Sequence, residues 1–322
     1  MMNRYRTSKF LVLAAALILS GCAKPTPPPA PPPQFDPAQF DGRRALEEAG
    51  NIVQLGSRDA GTTGSLKAAR HLKERLVAVG VQADMDEFKD DTPRGTITMR
   101  NVIGRLPGEG KGLIILCSHY DTKSGITNFD GANDSASSSA ALLEMASVMA
   151  RGPVVPPTIE FAFFDGEECM NHYGPSDGLH GSRHMAGQLI QRRETDNVKA
   201  VILLDMIGDS DLSVTIPRNS SASLAAATFA AAEEEGARSK FSLFPFEIGD
   251  DHDPFYQAGM PAIDIIDFQF GSAPGRNDYW HTSQDTMDKI SAKSLETVGR
   301  VTVRVVNKLI SAEAAPSKSA LP

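Results

Sequence analysis

Residues 159–168 read IEFAFFDGEE, an apolar run that leads directly into acidic side chains. A short run of β-branched and aromatic residues is typical of a strand that is buried on both faces of a sheet. Further predicted strands of this kind lie at 113–117, 201–204 and 262–266. Helical patterns lie at 65–79, 137–150 and 222–235. The alternation predicts a single α/β domain in which helices flank one central sheet.

Titratable side chains stand where each of the first three predicted strands ends. They are His119 and Asp121, then Asp165, Glu167 and Glu168, then Asp205. Asp134 opens the helix at 137–150, and His281 lies in a late loop. Because ligands of open α/β sheets bind at the carboxyl ends of the strands, we expect these residues to share one site. Imidazole nitrogen and carboxylate oxygen are preferred ligands of zinc, so the set predicts a zinc site.

Each of these residues also has an ordinary explanation when it is considered alone. Asp134 stands where a helix N-cap would be, and His119 could be a hydrogen-bonded structural histidine. The paired glutamates could be solvated charges at the end of a strand. All these explanations would have to hold at once, which favours the shared metal site.

Composition and charge narrow the classes of function. The formal net charge is −8, and the sequence shows no cluster of Lys and Arg. Phosphate binding needs such clusters, so we exclude nucleic acid as a partner. The hydrophobic share of 41% and the charged share of 22% are typical of a globular protein and argue against a polytopic membrane protein.

The first residues have the order of parts that is found in an export signal. A basic start precedes an apolar stretch at 10–19, which is short for a membrane span. The following Leu19-Ser20-Gly21-Cys22 resembles the bacterial lipobox, in which the cysteine becomes the lipidated first residue. We therefore predict an exported bacterial lipoprotein, anchored in a membrane through Cys22, with its domain in the periplasm or at the cell surface. The alternative is an uncleaved anchor with an incidental cysteine.

Composition also divides the chain into four predicted segments. Proline dominates residues 24–37, which is typical of an extended tether. The last eleven or so residues are small and polar, without an apolar period. The predicted segments are a lipoprotein signal peptide at 1–21, the lipidated cysteine and a proline-rich linker at 22–40, a zinc-dependent catalytic domain at 41–311 and a flexible tail at 312–322.

Several motifs together resemble the zinc aminopeptidase and glutaminyl cyclase superfamily. They are HYD at 119–121, GANDSAS at 131–137, FFDGEE at 163–168, GSRH at 181–184, LLDMIG at 203–208 and WHTSQDT at 280–286. The resemblance covers almost the whole domain. It implies that Asp134, Glu168 and His281 bind zinc and that Glu167 transfers protons. It also implies a mixed, largely parallel sheet flanked by helices.

The two branches of this superfamily differ in their reaction. In the aminopeptidase branch, residues that match His119 and Asp205 hold a second zinc with Asp134 as the bridge, and water attacks the first peptide bond. In the cyclase branch, one zinc polarises the side-chain amide of an N-terminal glutamine, whose own α-amine attacks and releases ammonia. Both branches can carry His119 and Asp205, so their presence does not give the number of metal ions.

Four stretches are similar to the cyclase branch. They are residues 88–103, 172–184, 250–255 and the tryptophan at 280. By this resemblance Asp205 and Asp250 assist Glu167 as catalytic residues. Trp280, Tyr173 and His119 would line the substrate pocket. Tyr173 departs from the tryptophan that is usual in cyclases, and Ser139 occupies one expected cysteine position, which leaves the shape of the pocket open.

The resemblance favours a zinc-dependent glutaminyl-peptide cyclotransferase that acts on peptide or protein N-termini. The first alternative is a two-zinc aminopeptidase that removes N-terminal residues. The second is a non-catalytic surface lipoprotein on the same fold, which the presence of Glu167 and all three zinc positions argues against.

Overall fold

The fold is built on one central sheet. The computed structural model describes residues 32–314, and it describes side chains up to residue 312. Eight strands form the sheet in this part of the chain. In chain order they are β1 (Gln82–Thr92), β2 (Gly95–Leu106), β3 (Leu113–His119), β4 (Thr158–Phe164), β5 (Val198–Asp205), β6 (Val214–Ile216), β7 (Phe241–Leu243) and β8 (Ala262–Ile266). Their order across the sheet is β1-β2-β4-β3-β5-β8-β6-β7.

The middle of the sheet is parallel and its margins are mixed. β3 pairs in parallel with β4 and β5, and β5 pairs in parallel with β8. β1 and β2 form an antiparallel pair, and β2 and β6 join the parallel strands in the antiparallel sense. This arrangement confirms the predicted mixed, largely parallel sheet. It also brings the carboxyl ends of β3, β4, β5 and β8 to one edge.

Helices cover both faces of the sheet. They are α1 (Gly42–Val53), α2 (Thr63–Ala78), α3 (Ser138–Ala150), α4 (His180–Arg192), α5 (Ala222–Glu234), α6 (Asp253–Gln257) and α7 (Ala292–Ala314). Alternate residues of β3 enter different cores: Leu116 packs with residues of α1, α2, α3, α5 and α7, whereas Ile115 packs with residues of α4 and α6. Burial on both faces explains why the central strands are continuous apolar runs.

The predicted helices are present, with small shifts at their ends. α2 begins two residues before the predicted position, where the Thr62 side chain accepts a hydrogen bond from Ser65 N at 3.3 Å. It ends before Gly80, whose φ of +88° suits glycine and stops the helix as expected. α3 begins at Ser138, because residues 132–137 form a separate turn in which Asp134 has non-helical dihedral angles (φ −111°, ψ 85°).

The domain begins before the predicted boundary at Asp41 and ends beyond residue 311. Phe35 and Phe40, which the predicted linker at 22–40 included, are buried in the main core. The Asn307 side chain makes two hydrogen bonds to the backbone of Phe35. It accepts from Phe35 N at 2.9 Å and donates to Phe35 O at 2.8 Å. The linker boundary was therefore wrong by about six residues, because two aromatic side chains bury against α7. The predicted tail also starts inside α7, which continues to Ala314.

Some predictions fall outside the described residues. These are the signal peptide, the lipidation of Cys22, the linker before residue 32 and the tail after residue 314. Within residues 32–314, none of the helices combines the length and the apolar character that crossing a bilayer requires.

Candidate metal centre and active site

The candidate active site lies at the edge of the sheet where the central parallel strands end. His119 is the last residue of β3, and Asp205 is the last residue of β5. Glu167 and Glu168 follow β4 after a turn at Gly166, whose φ is +72°. A Cβ at this glycine would lie 2.7 Å from Met99 Sδ, so both the backbone conformation and the space favour glycine.

The three predicted zinc ligands meet in one cluster. Ligand atoms of Asp134, Glu168 and His281 all lie within 4.8 Å of one another. His281 Nε2 is 3.0 Å from Glu168 Oε1 and 3.3 Å from Asp134 Oδ2. Asp134 does not cap α3, whose N-cap is Ser137, so its carboxylate is free to face this cluster. The structure thus brings together the residues that the motifs selected.

A second cluster shares Asp134 with the first. His119 Nε2 lies 3.1 Å from Asp134 Oδ1 and 3.2 Å from Asp205 Oδ1. The two oxygens of Asp134 therefore point to different histidines, His119 on one side and His281 on the other. This is the arrangement that a carboxylate bridging two metal ions would need.

The donor set fits a zinc ion. Asp134 Oδ2 and Glu168 Oε2 are buried oxygens that accept no hydrogen bond among the described residues. Glu168 Oε2 faces the Lys123 ammonium only at 3.5 Å. Buried carboxylate oxygens without a hydrogen-bond donor are costly, and a bound cation would satisfy them. Two carboxylates and one imidazole with an open fourth position are a typical ligand set of catalytic zinc.

The pKa shifts in the first cluster also favour the binding of a positive charge. Burial raises the pKa of Glu168 to about 7, and the negative charge of Asp134 acts in the same direction. Burial would lower the pKa of His281, but the neighbouring carboxylates of Asp134 and Glu168 outweigh that effect and raise it to about 9. A divalent cation would take the place of the histidine proton between the carboxylates.

Asp285 fixes the loop that carries Asp134. Its two carboxylate oxygens accept hydrogen bonds from Asn133 N at 2.7 Å and Asp134 N at 3.0 Å. Arg58, which is fully buried, holds the same loop through the carbonyl oxygens of Asp130 and Gly131, at 3.2 and 3.0 Å. The position of the shared ligand thus depends on two residues that do not face the cavity.

Replacing Asp285 should weaken metal binding. Asp285→Ala leaves two backbone N–H groups without an acceptor, and we expect the zinc affinity to fall by about tenfold to a hundredfold, the usual cost of losing a residue that supports a ligand. Competition with a chromogenic zinc chelator measures the affinity. Asp288→Ala, an exposed aspartate three residues away, is the control and should bind zinc like the native protein. Equal affinities for the two variants would contradict this role of Asp285.

Asp121 supports the paired glutamates in a similar way. Its carboxylate accepts hydrogen bonds from Glu167 N at 3.1 Å and Glu168 N at 3.2 Å. Its Oδ1 also lies 3.5 Å from His119 Nδ1. Asp121 was expected near the site as part of the HYD motif, but its supporting role was not predicted; its position two residues after His119 was the available signal.

Glu167 is placed to move protons beside the metal cluster. Burial raises the pKa of Glu167 well above its usual range, while His119 opposes this effect and Glu168 and Asp250 add to it. A carboxyl group with a raised pKa can hold a proton at neutral pH as well as release one. The hydroxyl of Tyr173 donates to Glu167 Oε1 at 3.0 Å and reaches Oε2 at 3.3 Å.

Removing the Tyr173 hydroxyl should slow the reaction without unfolding the protein. Tyr173→Phe keeps the ring and removes a hydrogen bond to Glu167, and we expect kcat to fall about tenfold, as for loss of a hydrogen bond to a charged group. The measurement is steady-state kinetics together with the thermal unfolding midpoint. Tyr256→Phe, another partly exposed tyrosine, is the control and should retain full activity. An unchanged kcat for Tyr173→Phe would show that the hydroxyl is not needed.

A cavity of about 260 Å³ opens over these groups. Its lining includes the predicted residues Glu167, Tyr173, Asp205, Asp250 and Trp280, together with the zinc-ligand cluster. The Trp280 ring stacks on His281 with a centroid distance of 3.9 Å. Phe244 and Phe268, which no motif in the sequence indicated, complete the apolar wall.

Two places were predicted for His119, the second metal cluster and the pocket wall, and it occupies the first of them. It is only 1% exposed and is not among the residues that line the cavity. It is the last residue of β3, and its Nε2 lies against the buried carboxylates of Asp134 and Asp205. Its place is in the second cluster, which agrees with the other role considered for it, and its assignment to the pocket wall was wrong.

The two remaining cysteines of the described domain, Cys117 and Cys169, are free and buried. Cys169 is next to Glu168 in sequence, and its Sγ lies 2.9 Å from Lys123 Nζ. Lys123 Nζ also lies 3.5 Å from Glu168 Oε2, so an ammonium group is next to one residue of the zinc-ligand cluster.

Comparison with known proteins agrees with this geometry. The profile of peptidase family M28 matches residues 101–306. The crystal structure of a glutaminyl cyclase from an Acidobacteriales bacterium is 34% identical, has a TM-score of 0.80, and covers 90% of this chain and 100% of that chain. A glutaminyl-peptide cyclotransferase-like protein of Bos taurus is 29% identical over 281 residues, 76% of this chain and 70% of that protein.

A related peptidase structure matches over a similar range. A Zn-dependent exopeptidase from Parabacteroides distasonis is 25% identical, has a TM-score of 0.74, and covers 83% of this chain and 98% of that chain. The family match at 101–306 contains every residue of both metal clusters. The comparisons confirm the resemblance that the motifs indicated, and the chain belongs to peptidase family M28.

Proposed function

We propose that this chain is a zinc-dependent glutaminyl-peptide cyclotransferase that converts the N-terminal glutamine of a peptide to pyroglutamate and releases ammonia. The observation that carries the proposal is the single cavity in which Glu167 and the zinc-ligand cluster face an aromatic wall that includes Trp280. The 34% identity to a bacterial glutaminyl cyclase over nearly the whole domain supports it.

The charge of the cavity favours a free peptide N-terminus as substrate. Six carboxylates line it: Asp134, Glu167, Glu168, Asp205, Glu247 and Asp250. A protonated α-amine is attracted to such a pocket, whereas an internal peptide segment carries no charge that would balance it. Trp280 and Phe268 give the aliphatic part of a glutamine side chain an apolar surface.

The reaction joins the α-nitrogen of the glutamine to its own γ-carbon. A zinc ion on Asp134, Glu168 and His281 would act as a Lewis acid toward the γ-carbonyl oxygen. The bound α-ammonium group first loses one proton to solvent, and the neutral amine then attacks the γ-carbon. Ionised Glu167 takes a second proton from the amine nitrogen as the new C–N bond forms, and it returns that proton to the amide nitrogen as the old C–N bond breaks. The products are the five-membered lactam and ammonia, and no water is consumed.

The neighbouring acids have a supporting role in this proposal. Asp205 and Asp250 line the same cavity as Glu167, and the negative charge of Asp250 favours the protonated form of its carboxyl group. Asp121 and Tyr173 keep Glu167 in place, the first through its backbone N–H and the second through its side chain. The cavity thus supplies one proton carrier and several groups that orient it.

A two-zinc aminopeptidase is the second candidate, and one observation favours it. His119, Asp134 and Asp205 form a complete second cluster that shares Asp134 with the first. A Zn-dependent exopeptidase is also among the structural relatives. In that reaction Glu167 would take a proton from an attacking water molecule instead of an amine.

A pair of matched peptides separates the two candidates. Zinc-loaded protein is incubated with Gln-Ala-Ala-Leu and with Leu-Ala-Ala-Leu, and ammonia and free amino acids are measured. The cyclotransferase proposal predicts ammonia from the first peptide, four residues retained in its product, and no change in the second. Free leucine from the N-terminus of the second peptide, without ammonia from the first, would overturn it in favour of the aminopeptidase.

We also propose that the enzyme is an exported lipoprotein that is held at a membrane by Cys22 and reaches its substrates from the periplasm or the cell surface. The support is the basic and apolar order of the first residues and the lipobox-like Leu19-Ser20-Gly21-Cys22. Cell fractionation tests it, since Cys22→Ser protein should leave the membrane fraction. Retention of that variant in the membrane fraction would contradict lipid anchoring through Cys22.

A further inference from the structure

The most exposed large apolar side chains among the described residues belong to a segment that also lines the active-site cavity. Leu243 is 67% exposed and Phe246 is 65% exposed. Both belong to the segment that runs from the end of β7 toward α6, and Phe244 and Ile248 of the same segment line the cavity. Large exposed apolar side chains at the rim of a binding site indicate contact with a ligand or partner.

The exposed Phe246 connects to the metal cluster through a row of aromatic rings. The Phe246 ring lies 5.5 Å from Phe244, and Phe244 lies 6.3 Å from Phe268. Phe268 lies 5.3 Å from Trp280, which stacks on the zinc ligand His281. We call Trp280, Phe268, Phe244 and Phe246 the aromatic row. It runs from the candidate zinc site to the outer rim of the cavity.

The segment that presents Phe246 is held by the domain. Phe244 N donates to Ile216 O at 2.8 Å, and Arg218 N donates to Phe246 O at 3.0 Å. The Asn219 side chain donates to Ile248 O at 2.8 Å and accepts from Ile248 N at 3.2 Å. These bonds fix the backbone on both sides of Phe246. The exposure of its ring is therefore part of a defined surface that exists before a ligand binds.

We infer that the aromatic row is an extended subsite for apolar side chains at the second to fourth positions of the peptide substrate. This inference rests on the proposed function, which places the first residue at Glu167 and the zinc-ligand cluster. An extended peptide advances about 3.3 Å per residue, so each ring-to-ring step covers between one and two substrate residues. Phe246 is the second ring after Phe268 along the row. It would therefore contact the substrate residues that follow the glutamine.

The charge of the rim supports an apolar partner over an acidic one. Glu247, next to Phe246, lines the cavity and pairs with the exposed Arg218 at 2.9 Å. Arg218 offsets the charge of Glu247, but acidic substrate side chains would also meet the carboxylates of the cavity behind it. Leucine, phenylalanine or similar side chains would bury the exposed faces of Phe246 and Leu243.

Two peptides and two variants test the subsite. We expect kcat/KM for Gln-Ala-Leu-Leu to exceed that for Gln-Ala-Ala-Ala by about tenfold in the native protein, from partial burial of two apolar side chains. Phe246→Ala should reduce this ratio to about two. Ile190→Ala, which removes an apolar side chain of comparable exposure on α4, is the matched control and should keep the native ratio.

Binding gives a second readout that does not depend on turnover. Trp280 is the only tryptophan in the chain, so its fluorescence reports peptide binding at the inner end of the aromatic row. In the Glu167→Gln background, Gln-Ala-Leu-Leu should bind more tightly than Gln-Ala-Ala-Ala, and Phe246→Ala should remove the difference. Equal affinities for the two peptides, or a difference that survives Phe246→Ala, would overturn the subsite. Absence of ammonia from every peptide would instead overturn the proposed function, and the fluorescence comparison would still decide on the subsite.

Discussion

Glu167→Gln is expected to lower kcat for glutamine cyclisation by a factor of about 10² to 10⁴, the usual contribution of a positioned proton carrier. The substitution keeps the shape of the side chain and its contact with Tyr173, but an amide cannot take the proton of the α-amine. Zinc binding should remain, because Glu167 is not among the three residues of the zinc-ligand cluster. The measurements are initial rates of ammonia release and the zinc content of the purified variant.

A matched control separates the loss of chemistry from the loss of a buried carboxylate. Glu144 is 7% exposed, close to the 5% of Glu167, but it lies away from the cavity and pairs with Arg44 at 2.6 Å. Glu144→Gln should lower the unfolding temperature and leave kcat unchanged. Native-like turnover by Glu167→Gln with zinc bound would remove Glu167 from the mechanism.

Loss of the metal is the second large effect. Chelation of zinc should abolish activity, and added zinc should restore it, because the proposed chemistry uses the Lewis acid at the Asp134, Glu168 and His281 cluster. His281→Ala removes a ligand, and we expect the zinc affinity to fall by more than about 100-fold. At the zinc concentration that restores the native protein, this variant should stay inactive. Elemental analysis and ammonia release are the two readouts.

Two histidine variants accompany this experiment. His184→Ala is the control, since His184 stacks on Phe88 away from the cavity, and it should bind zinc normally. His119→Ala addresses the second cluster: a one-zinc cyclotransferase keeps its zinc stoichiometry, whereas a two-zinc peptidase loses about half of it. Full restoration of His281→Ala by the same zinc concentration would contradict the assignment of His281 as a ligand.

The sheet could be predicted from the sequence because its central strands are short apolar runs buried on both faces. In β3 and β8 every residue is buried, and this leaves an unambiguous pattern. The ends of the domain were harder to predict. Phe35 and Phe40 stand among prolines and polar residues, and their burial depends on α7, which follows more than 250 residues later. Composition alone does not show such a distant contact.

The candidate site could be predicted for acidic and histidine residues that follow a predicted strand or lie in a family motif. Glu167, Glu168 and Asp205 follow strands, and Asp134 and His281 lie in motifs that a known family shares. His119 also stands at the end of a strand, and its grouping with Asp134 and Asp205 was one of the two predictions made for it. The sequence does not tell how deeply a strand end is buried, so the absence of His119 from the cavity wall was not foreseen.

The residues that support or surround the site were harder to predict from the sequence. Arg58 holds the Asp134 loop through carbonyl oxygens, and an arginine bound to backbone has no sequence pattern of its own. Phe244 and Phe246 lie in a segment that joins a short strand to a short helix. Their role depends on which loop reaches the cavity, and this is fixed by the tertiary fold.

The most direct test of the central claim is the mass of the product formed in water labelled with oxygen-18. Cyclisation of Gln-Ala-Ala-Leu by zinc-loaded protein predicts a product that is lighter by the mass of one ammonia molecule, retains all four residues and contains no labelled oxygen. Hydrolysis consumes water and leaves its oxygen in the product. A product that carries the label, whether a shortened peptide or one with glutamate in place of glutamine, would contradict the proposed cyclotransferase.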